Sequence, residues 1–439
     1  MIKFSAEAKK VIDLILHSGQ NVFVTGKAGT GKSTLLEHVR LMSENKLIVL
    51  APTGISAVNV NGETIHSFFT LKPGFEKEEA LRMPLNDKKK DKFRRIKTIA
   101  IDEISMVRAD LLDAVDTLLR RARGLNKPFG GVQMAFFGDL YQLPPVVTSL
   151  DREKFFSEYK SPYFFEATVF RGQTDMFSAD FKLQVIELTK IYRQKDLKFI
   201  KLLNAVRDKT ITAEQLAQLN KRVQPNFIPR DEDKYIHLMT TNASANEINE
   251  KKLRELMGEE KIFVANQSGN VARNLYPNDE VVTLKQGAQV MFICNDPERR
   301  WVNGTIGKIA EIRDTTNEET GEEERIVRVE KTDGKIVEVK QHTWEISKYV
   351  FVGGEFQREK LGTYEQIPIK LAWAITIHKS QGKTFDKAIV DLGRGTFAHG
   401  QTYVALSRCS SFEGLVLKKP ITHSNIIMDP VVKGFTATA

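Results

Sequence analysis

At 439 residues the chain is too long for one ordinary core, and domains of about 100–200 residues divide it into two to four. Lys and Arg number 65 against 56 Asp and Glu, a net charge of +9 that suits a polyanionic partner without demanding one. The two cysteines, Cys294 and Cys409, argue against a disulfide framework and fit a reducing compartment; with no signal-like start and no apolar stretch of about 18 residues, the chain reads as soluble, without a membrane partner, and at home in a prokaryotic or viral cytoplasm.

Taken in chain order, Phe4–His17 predicts a helix and Asn21–Thr25 a short buried strand, followed by Gly26-Lys27-Ala28-Gly29-Thr30-Gly31-Lys32-Ser33 and a helix over Ser33–Met42. A phosphate-binding loop needs this strand, loop and helix setting. Gly26, Gly29 and Gly31 let the backbone amides of the loop turn inward around phosphates, with Ala28, Thr30 and Thr34 in the same nucleotide-binding set. Lys32 reaches the β- and γ-phosphates and the Ser33 hydroxyl ligates Mg²⁺, so ATP and Mg²⁺ are the expected cofactors.

Further strands at Leu47–Ala51, Thr98–Asp102 and Val132–Phe137 and a helix at Arg108–Arg123 predict a parallel sheet wrapped by helices, an α/β class. Residues 68–97 interrupt that alternation with a Lys/Arg-dense insertion; a solvated loop and a small element standing on the sheet both remain open. At the end of the third strand, Asp102 is placed to hold Mg²⁺ with Ser33, and Glu103 to orient and deprotonate the attacking water. Gln142, in Gly138-Asp139-Leu140-Tyr141-Gln142-Leu143-Pro144-Pro145, is placed to bond the γ-phosphate and that water.

A second alternation begins at Leu183, with helices over Leu197–Val206, Ala213–Leu219 and Ala243–Leu256 and a strand over Tyr235–Thr240. Short β-type runs separated by Asn-Gly, Thr-Gly and Asp-Gly turn signals fill 287–352, and α/β character returns after it. The expected division is 1–182, 183–286, 287–352 and 353–439. Hydrolysis also needs positive charge in the transition state, for which Arg193 and Arg408 stand in marked contexts; spacing alone favours an ion-pair residue of the scaffold at either position.

The order of these segments resembles a known family. Ala51-Pro52-Thr53-Gly54-Ile55-Ser56-Ala57, Thr64-Ile65-His66-Ser67-Phe68-Phe69, Asp102-Glu103-Ile104-Ser105-Met106, Tyr192-Arg193-Gln194, Leu371 to Thr384 with Thr376-Ile377-His378-Lys379-Ser380-Gln381-Gly382, and Tyr403–Cys409 together look like the Pif family of superfamily-one DNA helicases, over nearly the whole chain. The resemblance implies two RecA-like P-loop NTPase lobes with ATP between them, Arg193 and Arg408 facing the phosphates, and Gly382 and Lys383 in the nucleotide-binding set. It implies 5′-to-3′ translocation on single-stranded DNA and unwinding of forked, duplex, quadruplex or hybrid structures, by a protein acting as a monomer. It also implies that 68–97 is a wedge and that 287–352 is a barrel of the Src-homology type. The chain departs from the family in one place: relatives usually carry an adenine-reading Gln in the first helix, whereas Ser5–Lys10 has none and Gln20 lies nearer the loop.

A motor indifferent to sequence should grip phosphates and stack bases. Pro52, Thr53, His66 and Ser67 in the first lobe and Thr376, His378, Lys379 and Ser380 in the second offer the groups for this. Phe68 and Phe69 are either base-stacking rings or core, and Trp301, with Asn303 beside it, either presses on the strand or covers the end of a small barrel. The rival readings are a metabolic P-loop enzyme, which has no use for a second lobe, and a DNA-stimulated translocase or switch that does not unwind.

Overall fold

Runs of Val, Ile, Leu and Phe bounded by turn residues form the strands that carry the first unit, as burial on both faces requires in a parallel sheet. The computed structural model describes residues 4–43, 46–72, 77–171, 181–192, 194, 196–316, 323–393 and 395–438. Its contacts divide into two units, Met1–Tyr192 with Ser347–Leu361 and Asp429–Ala439, and Arg193–Ile346 with Gly362–Met428.

The first unit holds strands β1 (Asn21–Gly26), β2 (Leu47–Ala51), β3 (Glu63–Thr64), β4 (Thr98–Ile101), β5 (Gln133–Phe137) and β6 (Leu183–Leu188), all parallel in the order β3-β2-β4-β5-β1-β6. Its helices are α1 (Ala6–Asp13), α2 (Lys32–Met42), α3 (Gly54–Asn59), α4 (Ile65–Phe69), α5 (Lys77–Arg82), α6 (Asp87–Arg94), α7 (Ala109–Arg123) and α8 (Arg152–Glu158). The expected boundary before Leu183 is corrected: β6 pairs with β1 in register, Asn21 opposite Leu183 through Gly26 opposite Leu188, and the units divide after Tyr192. An open edge on the strand before the phosphate loop is thereby closed.

Within 68–97, α5 and α6 form a helical element rather than a loop, while Pro73–Glu76 lie outside the described residues. The Asn86 side chain caps α6 by accepting from Lys89 N at 2.9 Å, and Phe93 buries its ring against Phe68 and Phe69. The lysines Lys88, Lys89 and Lys90 stay at or near the surface.

The second unit contains α9 (Leu197–Arg207), α10 (Ala213–Asn220), α11 (Asn242–Glu255) and α12 (Gln401–Ser407). Its strands are β7 (Ile236–Met239), β8 (Lys261–Val264), β9 (Asn266–Gly269), β10 (Val281–Leu284), β11 (Gln289–Phe292), β12 (Ile306–Thr316), β13 (Glu323–Lys331), β14 (Ile336–Val339), β15 (His342–Val352), β16 (Glu355–Gln366), β17 (Ile369–Leu371), β18 (Ala374–Thr376), β19 (Ala388–Asp391) and β20 (Leu415–Leu417). β18-β7-β19-β20 is a parallel sheet, and β14-β13-β12-β11-β17 an antiparallel one. The β-rich stretch therefore runs from Lys261 to Leu371, wider than 287–352 on both sides, because β8 pairs with β10 and β17 returns to β11. Residues Ser347–Leu361, the turn end of the β15–β16 pair, belong to the first unit, as does the last helix, α13 (Pro430–Thr438), whose Phe435 stacks on Phe165 at 4.3 Å. Among the described residues no helix is long and apolar enough to cross a membrane.

Candidate nucleotide and nucleic-acid sites

The phosphate loop leaves β1 at Gly26, where a side chain has no room: a Cβ there would lie 2.7 Å from Leu188 O and 2.8 Å from Thr30 Oγ1. Thr30 is buried and donates from Oγ1 to Lys27 O at 2.9 Å, and Ala28 is buried beside it. Gly29 and Gly31 both take positive φ; Gly31, at 84°, is the residue from which α2 starts, and no side chain caps that helix. The first-turn amides around Lys32, Ser33 and Thr34, with the positive end of the helix dipole, make an anion site open at the surface, where Ser33 and Thr34 are exposed. Lys32 folds back over the loop, its Nζ donating to Gly26 O at 2.7 Å and Lys27 O at 3.3 Å.

Asp102 sits at the carboxyl end of β4, only 5% exposed, with its amide bonded to Leu50 O at 2.9 Å. Burial and the neighbouring Glu103 push its carboxyl above the usual range, while the Lys32 charge and a hydrogen bond from Ser33 pull the other way. A buried carboxylate and a hydroxyl brought together are hard oxygen donors, and a divalent cation between them and a phosphate would lift the penalty on ionising Asp102. Glu103 takes left-handed dihedrals, φ 49° and ψ 43°, an unfavourable conformation for a residue with a Cβ that re-aims its side chain away from the strand direction. Gly138 lets the turn after Glu103 pack close, since a Cβ there would stand 2.9 Å from Ile104 Cγ2. Gln142 is buried and turns inward, its Nε2 donating to Asp139 Oδ2 at 3.3 Å.

Of the nucleic-acid candidates in this unit, Thr53 is exposed and caps α3, accepting from Ser56 N at 3.2 Å, with Pro52 half-buried before it. Ser67 is exposed and donates to Glu63 Oε1 at 2.5 Å; His66 is half-buried, its imidazole held below the ordinary value by burial and by Arg108, against the pull of Asp110. Phe68 is corrected from a base-stacking candidate to core. It is 1% exposed, edge-on to Phe69 at 5.0 Å and to Tyr349 at 6.0 Å, with Lys92 Nζ 3.9 Å over its ring. Position on α4 explains this: Ile65, Phe68 and Phe69 share the inward face, leaving His66 and Ser67 outside.

In the second unit, Arg193 lies outside the described residues. Arg408 is 1% exposed and donates to Val404 O at 3.0 Å, Ser407 Oγ at 2.8 Å, and Ser380 O and Lys383 O at 3.4 Å. It binds α12 to the 376–384 turn. Ser380 and Thr376 are corrected from DNA contacts to turn scaffold. Ser380 is fully buried and donates to Ile377 O at 2.7 Å, while Thr376, 4% exposed, accepts from Lys379 N at 3.3 Å. Lys379 is exposed, His378 is half-buried with its imidazole pushed down by burial, and Gly382 is exposed. Trp301 is corrected to a covering residue, stacked on Phe292 at 4.5 Å under the Arg300 guanidinium.

Two links escaped the sequence. Lys383 donates its Nζ to the Asn303 side chain, 80 residues away, and burial with the Lys370 charge pushes that ammonium down to about 8. Gln194 is buried and donates to Ser407 O at 3.0 Å and Cys409 O at 3.3 Å, holding the end of α12. No spacing rule announces either contact.

The PIF1-like helicase family model matches residues 3–217. Over 442 aligned residues the chain is 34% identical to the ATP-dependent DNA helicase Pif1 of Bdellovibrio bacteriovorus, covering 99% of this chain and 92% of that one. Among solved structures, Bacteroides sp Pif1 in complex with ADP-AlF4 superposes with a TM-score of 0.87 at 35% identity, over 100% of this chain and 97% of that one. Bacteroides Pif1 bound to single-stranded DNA gives 0.67 at the same identity and coverage. With a phosphate loop, an Asp-Glu pair and two parallel sheets in place, and relatives of this identity along its whole length, the chain belongs to the PIF1-like helicase family.

Proposed function

We propose that this ATP-dependent DNA helicase moves 5′ to 3′ along single-stranded DNA and separates the duplex it meets, acting as a monomer. The observation that carries the reading is the first-unit site itself: an uncapped helix N-terminus, Lys32 poised over the loop, Ser33 bonded to Asp102, and Glu103 in a left-handed turn next to Asp102. In this reading Lys32 and the loop amides bind the ATP phosphates, Glu103 takes the proton of the attacking water, and Gln142 bonds that water and the γ-phosphate after leaving Asp139. Mg²⁺, held by Ser33 and Asp102, would supply charge neutralisation between phosphate oxygens. Arg193 and Arg408 are assigned to the charge that develops on the transferred phosphoryl, and Gly382 and Lys383 to the nucleotide.

DNA would be gripped through Pro52, Thr53, His66 and Ser67 in one unit, and His378, Lys379 and Asn303 in the other. The helical element of α5 and α6 is assigned as the wedge and the β-rich insertion as a Src-homology-type barrel. Forked substrates are the expected targets, in the cytoplasm of a prokaryotic or viral system; action on quadruplexes or hybrids is a further proposal.

Strand separation on two partial duplexes, one with a 5′ tail and one with a 3′ tail, tests this, with Lys32→Ala as control. Opening of the 5′-tailed duplex alone, lost in the control, is the expected result. DNA-stimulated hydrolysis without opening would leave a translocase or switch, and hydrolysis indifferent to DNA would leave a metabolic enzyme.

A further inference from the structure

The strongest feature that neither nucleotide chemistry nor the grip described above uses lies at the opposite edge of the first sheet. The nucleotide site is at the carboxyl ends of β1 and β4, whereas a concavity of about 1070 Å³ opens where β1, β2, β4 and β5 begin, with Asn21, Leu47, Thr98 and Gln133 in its lining. A strand of four to six residues sets the two apart by roughly 13–20 Å.

Lys46, Arg94, Arg95, Lys97, Arg123, Lys127 and His17 all line this concavity, and among the described residues no Asp or Glu does. Part of that charge has a structural use. Arg123 is half-buried and donates to Gly130 O at 2.6 Å, Arg94 O at 2.7 Å, and Phe93 O and Ile96 O at 3.1 Å; Arg94 Nε donates to Ala122 O at 2.9 Å. Those two guanidinium groups satisfy carbonyls at helix ends, as basic residues at C-termini do. Lys97 and Lys127 are exposed, and cap-type electrostatics at a helix end needs no such concentration of cations around one hollow.

The cationic surface also continues out of the hollow. Arg94 and Arg95 follow Lys88, Lys89 and Lys90 of α6, a helix about 12 Å long that also carries Asp87 and Asp91, the latter 3.8 Å from Arg95, while Lys92 turns in over Phe68. Residues 87–95 carry six cations against two acids, a net positive charge that suits a phosphate backbone. Among the apolar lining residues Ile15, Leu47, Ile96 and Val132 are at most 4% exposed while Met42 is 49% exposed, so it is the hollow's cations, rather than a lack of apolar surface, that favour a polyanion over a peptide with an apolar anchor.

We propose that this hollow and the outer side of α6 form a second nucleic-acid contact, one that holds the phosphodiester backbone of the strand that is not being tracked. The proposal rests on the helicase reading above.

The test uses the full chain and the charge-reversed double variant Lys97→Glu/Lys127→Glu, both positions being exposed and outside the nucleotide site. Anisotropy would be measured on a labelled fork with two thymidine tails, on the same duplex with the 5′ tail alone, and on a labelled poly-aspartate peptide, each across a salt series. The variant should bind the fork about tenfold more weakly, and its slope of log affinity against log salt should be shallower by about 1.4, two phosphates at about 0.7 each. Binding of the 5′-tailed duplex and hydrolysis stimulated by oligothymidine should be unchanged. Equal loss on both DNAs, no loss on the fork, or loss of peptide binding alone would overturn the proposal. Hydrolysis in the unaltered chain that ignores oligothymidine would instead overturn the helicase reading.

Discussion

The two units present their motif residues in opposite ways. In the first, the phosphate loop and the Asp-Glu pair stand at the carboxyl ends of parallel strands, where α/β sheets bind ligands, and their polar groups are arranged around an open anion site. In the second, the 376–384 segment spends most of its polar groups on itself: Ser380 and Thr376 hold the turn, and Arg408 pins it to α12. A motif in one unit is chemistry facing outward, and in the other it is scaffold that presents a few exposed groups such as Lys379.

The comparison breaks most visibly at Phe68. As a core ring between Phe69, Phe93 and Tyr349, its replacement in Phe68→Ala should cost about 3–5 kcal/mol of stability by denaturant unfolding. A base-stacking ring would instead lose about 1–3 kcal/mol of DNA binding with stability untouched. Arg408→Lys comes next. Lysine cannot reach the four acceptors that the guanidinium serves, and leaving buried carbonyls unpaired should cost about 1–3 kcal/mol. Unchanged stability would overturn the scaffold role, and a fall in hydrolysis with it would leave Arg408 to the phosphates alone.

A third test uses pH. Burial pushes the Lys92 ammonium down to about 8 from an ordinary 10.5, against the attraction of Glu63. The unfolded chain keeps that proton up to about 10.5 and the folded chain releases it near 8, so in that window the unfolded state binds more protons and rising pH favours folding. The stability of the wild type relative to Lys92→Met should therefore rise, by about 3 kcal/mol, between these pH values and be flat below them. A flat difference throughout would mean that Lys92 is solvated. The smallest effect is expected of Lys379→Ala: an exposed lysine gripping one phosphate should weaken single-stranded DNA binding and lower the salt slope by about 0.7, with stability unaltered.

Much of the first sheet was legible because β1, β2, β4 and β5 are largely contiguous apolar runs. Leu47–Ala51 has the expected bounds, and β1, β4 and β5 differ from expectation by one residue at one end. The phosphate loop is local for the same reason, eight consecutive residues whose backbone makes the site. The assignment of β6 was not legible, since Leu183–Leu188 would suit either sheet and only the free edge of β1 decides. Nor could the pattern show that Ser347–Leu361 joins the first unit, where Tyr349 N donates to Glu63 Oε2 at 2.8 Å from 286 residues away.

By itself, then, the sequence determined the α/β class, the nucleotide chemistry and the order of the motifs, because each depends on residues within a few positions of one another. Tertiary structure decided which motif side chains face out. Phe68, Trp301, Thr376 and Ser380 are DNA-contact candidates by neighbourhood and interior by packing, since burial depends on what the rest of the chain lays over a residue and not on its own spacing. It also decided where charge gathers, for the cations around the hollow at the start of the strands come from four separate stretches of chain that only the folded sheet brings together.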